Sequence, residues 1–472
     1  MKKRLLSLAL ALVFCLSLLP GMTLTAKAES DTATTGTGTE SDPYVVYNWA
    51  ALQEKLSEDG AARYIKLGED VTCSDSESYL DVTKTVTLDL NGHTIDRGLT
   101  TLTGNGYVIC VNGTLTITDS ETGGKITGGY NVYGGGVYVT SNGTFIMTGG
   151  SISDNTASQG GGVSVTGTFT MTGGTIEGNK ATGTSYSGGG GVYVNYSANF
   201  IMTSGSIEGN TAPSGGGVYV NGTFSISGSP QIKENTLADA TTANNVYLYS
   251  GKTITVTGAL SEAASIGVTT EIAPAEGAPV TITSGLSGNG IANHFSSDNS
   301  AYTVALHDGG EAQLELATPY DLWIAGTQVT SANAGDLSVI EGVSVASGGE
   351  AKFTPASGSD PAVLTLNGVT ITNSHADLGI AWKNNVGIYY SSTDDLTVAL
   401  TGENTITTST IPETDAYGYP DTEAFYSNNT AAITFSGTGS LTATAGETTA
   451  NSYGSNTGIY ATGSVMIAEG TT

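Results

Sequence analysis

Gly134-Gly135-Gly136-Val137-Tyr138-Val139 returns as Gly160-Gly161-Gly162-Val163-Ser164-Val165, again from Gly189 to Val194, and again from Gly215 to Val220. The steps are 26, 29 and 26 residues. Between the copies fall the apolar sets Phe145/Met147/Ile152, Phe169/Met171/Ile176 and Phe200/Met202/Ile207, each separated by Gly, Asn and Ser corners. Val137/Val139 and Phe145/Met147 alternate with period two, so these segments read as strands with one buried face. Three such strands in unchanging order per repeat predict a coil. In a parallel β-helix each strand lies over its copy in the previous turn, which buries like on like. A leucine-rich repeat has a similar period, but its Leu framework and helical half are missing. Propeller blades need about 40–50 residues, too many for this step.

A second mark recurs in phase with the first. Ile152, Ile176, Ile207 and Ile232 are each followed three places later by Asn155, Asn179, Asn210 and Asn235. Asn tolerates corner backbone angles, and its amide can bond to the same group one turn away, so these four predict a structural asparagine ladder.

The flanks divide the chain. Met1 to Ala28 carries Lys2-Lys3-Arg4, an apolar run from Leu5 to Leu19 and the small-residue site Ala26-Lys27-Ala28, the pattern of a secretory signal peptide. The exported chain then starts at Glu29. Residues 29–43 read as a flexible linker and 44–100 as an N-terminal cap with the first turns. Within the cap, Asn48 before Trp49, Leu52 and Leu56 predicts a short capping helix. Residues 101–318 hold the Gly-Gly-Gly-Val repeats, and Tyr320 to Thr330 marks a fresh start, so 319–472 reads as a second β-helix segment. There Tyr389, Tyr426 and Tyr460 recur at longer steps of 37 and 34 residues. Val465-Met466-Ile467 resembles Leu396-Thr397-Val398 with no capping element after it, which suggests further turns, and any anchor, beyond Thr472.

Composition narrows function. The formal net charge is −28, and −32 once the four basic residues of the leader are removed. Such acidity repels nucleic acid and anionic lipid. No later apolar run approaches the ~20 residues that span a bilayer. Cys73 and Cys110 are too few for a disulfide framework, and with four scattered histidines they make no metal cluster.

Ile-x-x-Asn followed by Gly-Gly-Gly-Val, from Gly134 to Asn235, is similar to the repeats of polymorphic outer-membrane proteins and, more broadly, to right-handed β-helix surface proteins of the pectin-lyase-like superfamily. Thr83 to Ile95 looks like the first turn of adhesin-like exported proteins of Gram-positive bacteria. Tyr320 to Thr330, with Leu364 to Gly368 and Gly387 to Ile406, resembles a carbohydrate-binding β-helix domain of such proteins. The resemblance implies an all-β, right-handed parallel β-helix solenoid, secreted or attached to the cell surface.

Lyases of that fold need a basic side chain at the reacting carbon, and the repeats carry almost none. Inverting hydrolysis needs two carboxylates ~6.5–9.5 Å apart. Asp394-Asp395 is the one adjacent Asp pair, and a turn or a calcium contact accounts for it. Asp415 and Asp421 are further weak calcium candidates, since oxygen ligands suit that ion. Tyrosine points to binding instead. If the valines of Gly-Val-Tyr-Val face the core, Tyr138, Tyr193, Tyr219 and Tyr247 face outward along one strand column, as Tyr389, Tyr426 and Tyr460 do later. Turns ~4.8 Å apart would then stack these rings into a strip broken at Ser164, a platform for sugar faces. The sequence thus predicts a monomeric, non-catalytic rod that acts as an adhesin or polysaccharide-binding module for host or environmental glycans. A polysaccharide lyase or glycoside hydrolase and a purely structural stalk are the alternatives.

Overall fold

The computed structural model describes residues 34–468 and 471, apart from 61, 75–77, 185–187, 287–293, 308–309, 374–384, 410–421 and 447–455. The expected signal peptide and residues 29–33 of the expected linker therefore lie outside the described residues.

A helix, α1 (Trp49–Ser57), opens the fold where its cap signal predicts: the Asn48 carboxamide accepts from the Ala51 N–H at 2.8 Å. Its Trp49, Leu52 and Leu56 are buried, continuous with the core of the coil behind it.

From there the chain is a parallel β-helix, an all-β solenoid of long parallel sheets. Each turn stacks in register on the next. On one face Phe145, Phe169, Phe200 and Phe224 are successive partners, with ring centroids 4.8, 4.8 and 4.9 Å apart. A second face stacks Ile126, Ile152, Ile176, Ile207 and Ile232. A third, which carries the tyrosine motif, stacks Val137, Val163, Val192, Val218 and Val246. Identical side chains one strand spacing apart pack each on its own copy, which is why an exact repeat suffices to build the core.

The repeats contain four strands per turn, where the apolar pattern predicts three. The extra strands, Tyr130–Tyr133, Thr156–Gln159, Lys180–Ala181, Thr211–Ala212 and Thr236–Leu237, form a sheet of their own at the asparagine corner. Ala157, Ala181 and Ala212 are the core residues they supply, and these are too small to register as an apolar segment. The triple glycine follows directly. Gly160 turns the chain at φ +67, and a Cβ on Gly162 would stand 2.7 Å from the carbonyl oxygen of Gly191 on the next turn. Only glycine allows both.

Ser265–Thr270 joins two faces, pairing with Gln231–Ile232 through its start and Val246–Leu248 through its end. An antiparallel sheet of Val280–Thr281, Tyr302–Leu306 and Ala312–Leu316 follows. A second core cluster then begins at Leu322 and runs to Phe435. Pro319–Ile324 is antiparallel to both Thr327–Thr330 and Asn385–Tyr390. Beyond it the pairing is parallel again, Tyr389 on Tyr426 and Tyr426 on Tyr460, with the 37- and 34-residue steps expected. Cys73 and Cys110 form no disulfide; burial pushes the Cys110 thiol up to about 11.

Candidate functional site: the tyrosine ribbon

Strand alternation places the tyrosines of the first coil on one outward column. Cys110, Tyr138, Ser164, Tyr193, Tyr219 and Tyr247 are successive cross-strand partners. Tyr193 stacks on Tyr219 at 5.3 Å and Tyr219 on Tyr247 at 5.2 Å, with interplanar angles of 20° and 17°. Facing outward does not leave these rings open, however. Tyr193 is 7 % exposed and Tyr219 2 %, because each lies between neighbours. Burial raises both hydroxyls above the ordinary tyrosine value. The middle of the ribbon is therefore packed edge and face, while Tyr138 and Tyr247 are half-buried.

The break at Ser164 is where the ribbon opens. Tyr133, on the neighbouring alanine face, stacks on Tyr138 with centroids 6.3 Å apart. Tyr133 is 49 % exposed and sits next to exposed Val132. Tyr107 stacks on the far side of Tyr138 at 5.8 Å, and Tyr79 meets Tyr107 edge-on at 4.5 Å. Tyr79, Tyr107 and Tyr133 lie outside the Gly-Val-Tyr-Val motif, so the repeat alone does not reveal them.

The second coil repeats the device. Trp323, Tyr389, Tyr426 and Tyr460 stack in order at 5.1, 5.5 and 5.3 Å. Tyr389 is buried, Tyr426 half-buried and Tyr460 46 % exposed. Trp323 joins through the antiparallel pairing of its strand with Tyr389.

The asparagine corner is internal. Asn155, Asn179, Asn210 and Asn235 are fully buried. Each side-chain amide donates to the next carboxamide oxygen, at 3.1, 3.0 and 2.9 Å, and that same oxygen accepts the backbone N–H of the residue before it. The ladder runs on through Asn245 to the carboxylate of Asp298.

Of the proposed calcium residues the structure describes Asp394 and Asp395. The Asp394 backbone carbonyl accepts from the Tyr390 hydroxyl within a local turn, and an Asp395 carboxylate oxygen accepts from the Ala432 N–H on the next turn of the coil at 2.8 Å. Asp415 and Asp421 lie outside the described residues. Among the described residues no three His, Cys, Asp or Glu side chains converge on one point, and no helix is long and apolar enough to cross a membrane. A groove of about 790 Å³ runs along the isoleucine face, lined by carboxylates that the repeat reading passes over.

No family model matches the chain, and no curated protein does. One solved structure is similar, that of a "putative immunoglobulin A1 protease" from Bacteroides ovatus, at 16% identity over 47% of this chain and 79% of that one, with a TM-score of 0.23.

Proposed function

We propose that this is an exported, cell-surface β-helix of the pectin-lyase-like kind, a non-catalytic adhesin or polysaccharide-binding module that grips glycan through its tyrosine ribbon. The observation that carries this reading is the opening of the ribbon at Ser164, where exposed Tyr133 stacks on half-buried Tyr138. Flat rings held rigidly by their neighbours offer the apolar faces of sugar rings a large contact at little entropic cost. The hydroxyls around them supply a polar rim, the arrangement usual for binding surfaces. Tyr426 and exposed Tyr460 give a second platform of the same construction.

The test is a panel of immobilised polysaccharides, followed by incubation of the chain with any polymer retained. Retention without shortening of the polymer is expected. Fragment release would replace the reading with a polysaccharide-cleaving enzyme, and retention of none would reduce the chain to a stalk.

A further inference from the structure

The groove on the isoleucine face has a design separate from the tyrosine ribbon. Strands Ser151–Ser153, Thr175–Glu177 and Ser206–Glu208 bury their isoleucines, so the flanking residues face outward into it. Ser153, Glu177 and Glu208 are direct partners on three successive turns. The next position along is a left-handed corner, occupied by Asp154, Gly178, Gly209 and Glu234, with φ of 56°, 62°, 63° and 58°. The two columns together set one carboxylate on each of four successive turns: Asp154, Glu177, Glu208 and Glu234. All four line the groove.

Two observations say what such a row receives. The chain's own ammonium group is already seated in it, Lys125 Nζ lying 2.6 Å from Asp154 Oδ2 at one end of the groove. Three turns further on, Glu234 has Lys233 at 3.9 Å, which leaves Glu177, whose Oε1 accepts from the Ser151 hydroxyl at 3.0 Å, and Glu208 between them. In the floor beside Glu177, Ser153 is 3 % exposed and its hydroxyl has no partner. A buried hydroxyl in that state costs free energy unless a ligand supplies its hydrogen bond. The carboxylates are strung along the axis and do not converge among the described residues, so they suit an extended ligand better than a chelated ion.

We propose that this groove binds a linear polymer of free amino sugars, with ammonium groups spaced to meet Glu177 and Glu208 and one of them donating to the Ser153 hydroxyl. The repeat selects this class. Successive turns rise ~4.8 Å, on the order of one sugar ring, so a chain whose linkage keeps successive amines on one side sets one at each turn, whereas an extended basic peptide returns side chains to one side only every ~6.6 Å. The groove also runs over a sheet face and not along a sheet edge, so a peptide would find no backbone ladder to extend.

Calorimetry of the purified chain with a glucosamine hexamer, its N-acetylated counterpart and hexalysine, at low and high salt, tests this. The amine hexamer should bind at low salt and weaken as salt is added, and the N-acetylated hexamer should not bind. Glu177→Gln with Glu208→Gln should weaken binding about tenfold with an unchanged melting temperature. Ser153→Ala should weaken binding without loss of stability, and Tyr133→Ala should leave it untouched. Equal binding of the N-acetylated hexamer, binding of hexalysine as tight as that of the amine sugar, or no response to the double variant would each overturn the proposal.

Discussion

Asn245 donates both its backbone N–H and its side-chain amide to the two oxygens of Asp298, at 2.8 and 2.6 Å, so a carboxylate ends a ladder otherwise built of carboxamides. Thr269 adds a hydroxyl donor at 2.9 Å. Burial nonetheless holds the Asp298 carboxyl above its ordinary value, the hydrogen bonds offsetting only part of that cost. A raised carboxyl favours the folded state below its unfolded value and loses that advantage as pH rises through the folded one.

The sign makes a prediction for this position. Asp298→Asn removes the charge at the cost of one of the two acceptors that Asn245 uses, so near neutral pH the variant should melt close to the parent and above Asp298→Ala. Relative to the parent, its stability should fall as the pH drops from the raised folded value of Asp298 to the ordinary carboxyl value, and hold constant below it. Asp298→Ala should instead cost about 1–3 kcal/mol, because both Asn245 donors lose their acceptor. Melting curves across pH 3 to 8 distinguish the three proteins.

Gly162 tests the close approach of turns. An added Cβ would meet Gly191 O at 2.7 Å, Ile176 Cγ2 at 3.0 Å and Asn179 Nδ2 at 3.1 Å. Two of these are backbone or ladder atoms that cannot yield cheaply, so Gly162→Ala should destabilise by about 1–3 kcal/mol. Gly104, with open space around its Cβ position, is the control and should tolerate Ala. Denaturant midpoints provide the comparison.

Tyr219 should behave as a core residue despite its outward direction. Tyr219→Ala removes stacking on Tyr193 and Tyr247 at once and should cost about 2–4 kcal/mol, whereas Tyr133→Ala at the open end should cost under about 1 kcal/mol. The raised Tyr193 and Tyr219 hydroxyls stabilise the fold below the ordinary tyrosine value, and that contribution is lost as pH rises through their higher folded values. An ultraviolet titration should show these rings ionising late, together with unfolding.

The parallel coil is legible because the sequence repeats its core columns almost unchanged: Phe145, Phe169, Phe200 and Ile152, Ile176, Ile207 need no other information to find one another. The fourth strand is not, since Ala157 and Ala181 among polar neighbours make no apolar period. Alternation puts the tyrosines opposite the core valines, but exposure depends on what lies one turn above and below. Tyr219 is closed by rings at 26 and 28 residues' distance, which alternation along a single strand does not register. Trp323 enters its stack through an antiparallel strand that a purely parallel reading lacks. Asp298 reaches the asparagine ladder from 53 residues past Asn245, after the repeat has degraded.

The most direct test of the account is polysaccharide binding by Tyr133→Ala with Tyr138→Ala, compared with the parent chain on whichever polymer it retains. Each lost ring contact should remove about 1 kcal/mol of binding, so the pair should bind tenfold or more weakly, while circular dichroism at a temperature below the variant's melting point stays that of the parent. Unchanged affinity per folded molecule in that variant would contradict the tyrosine ribbon as a glycan-binding surface.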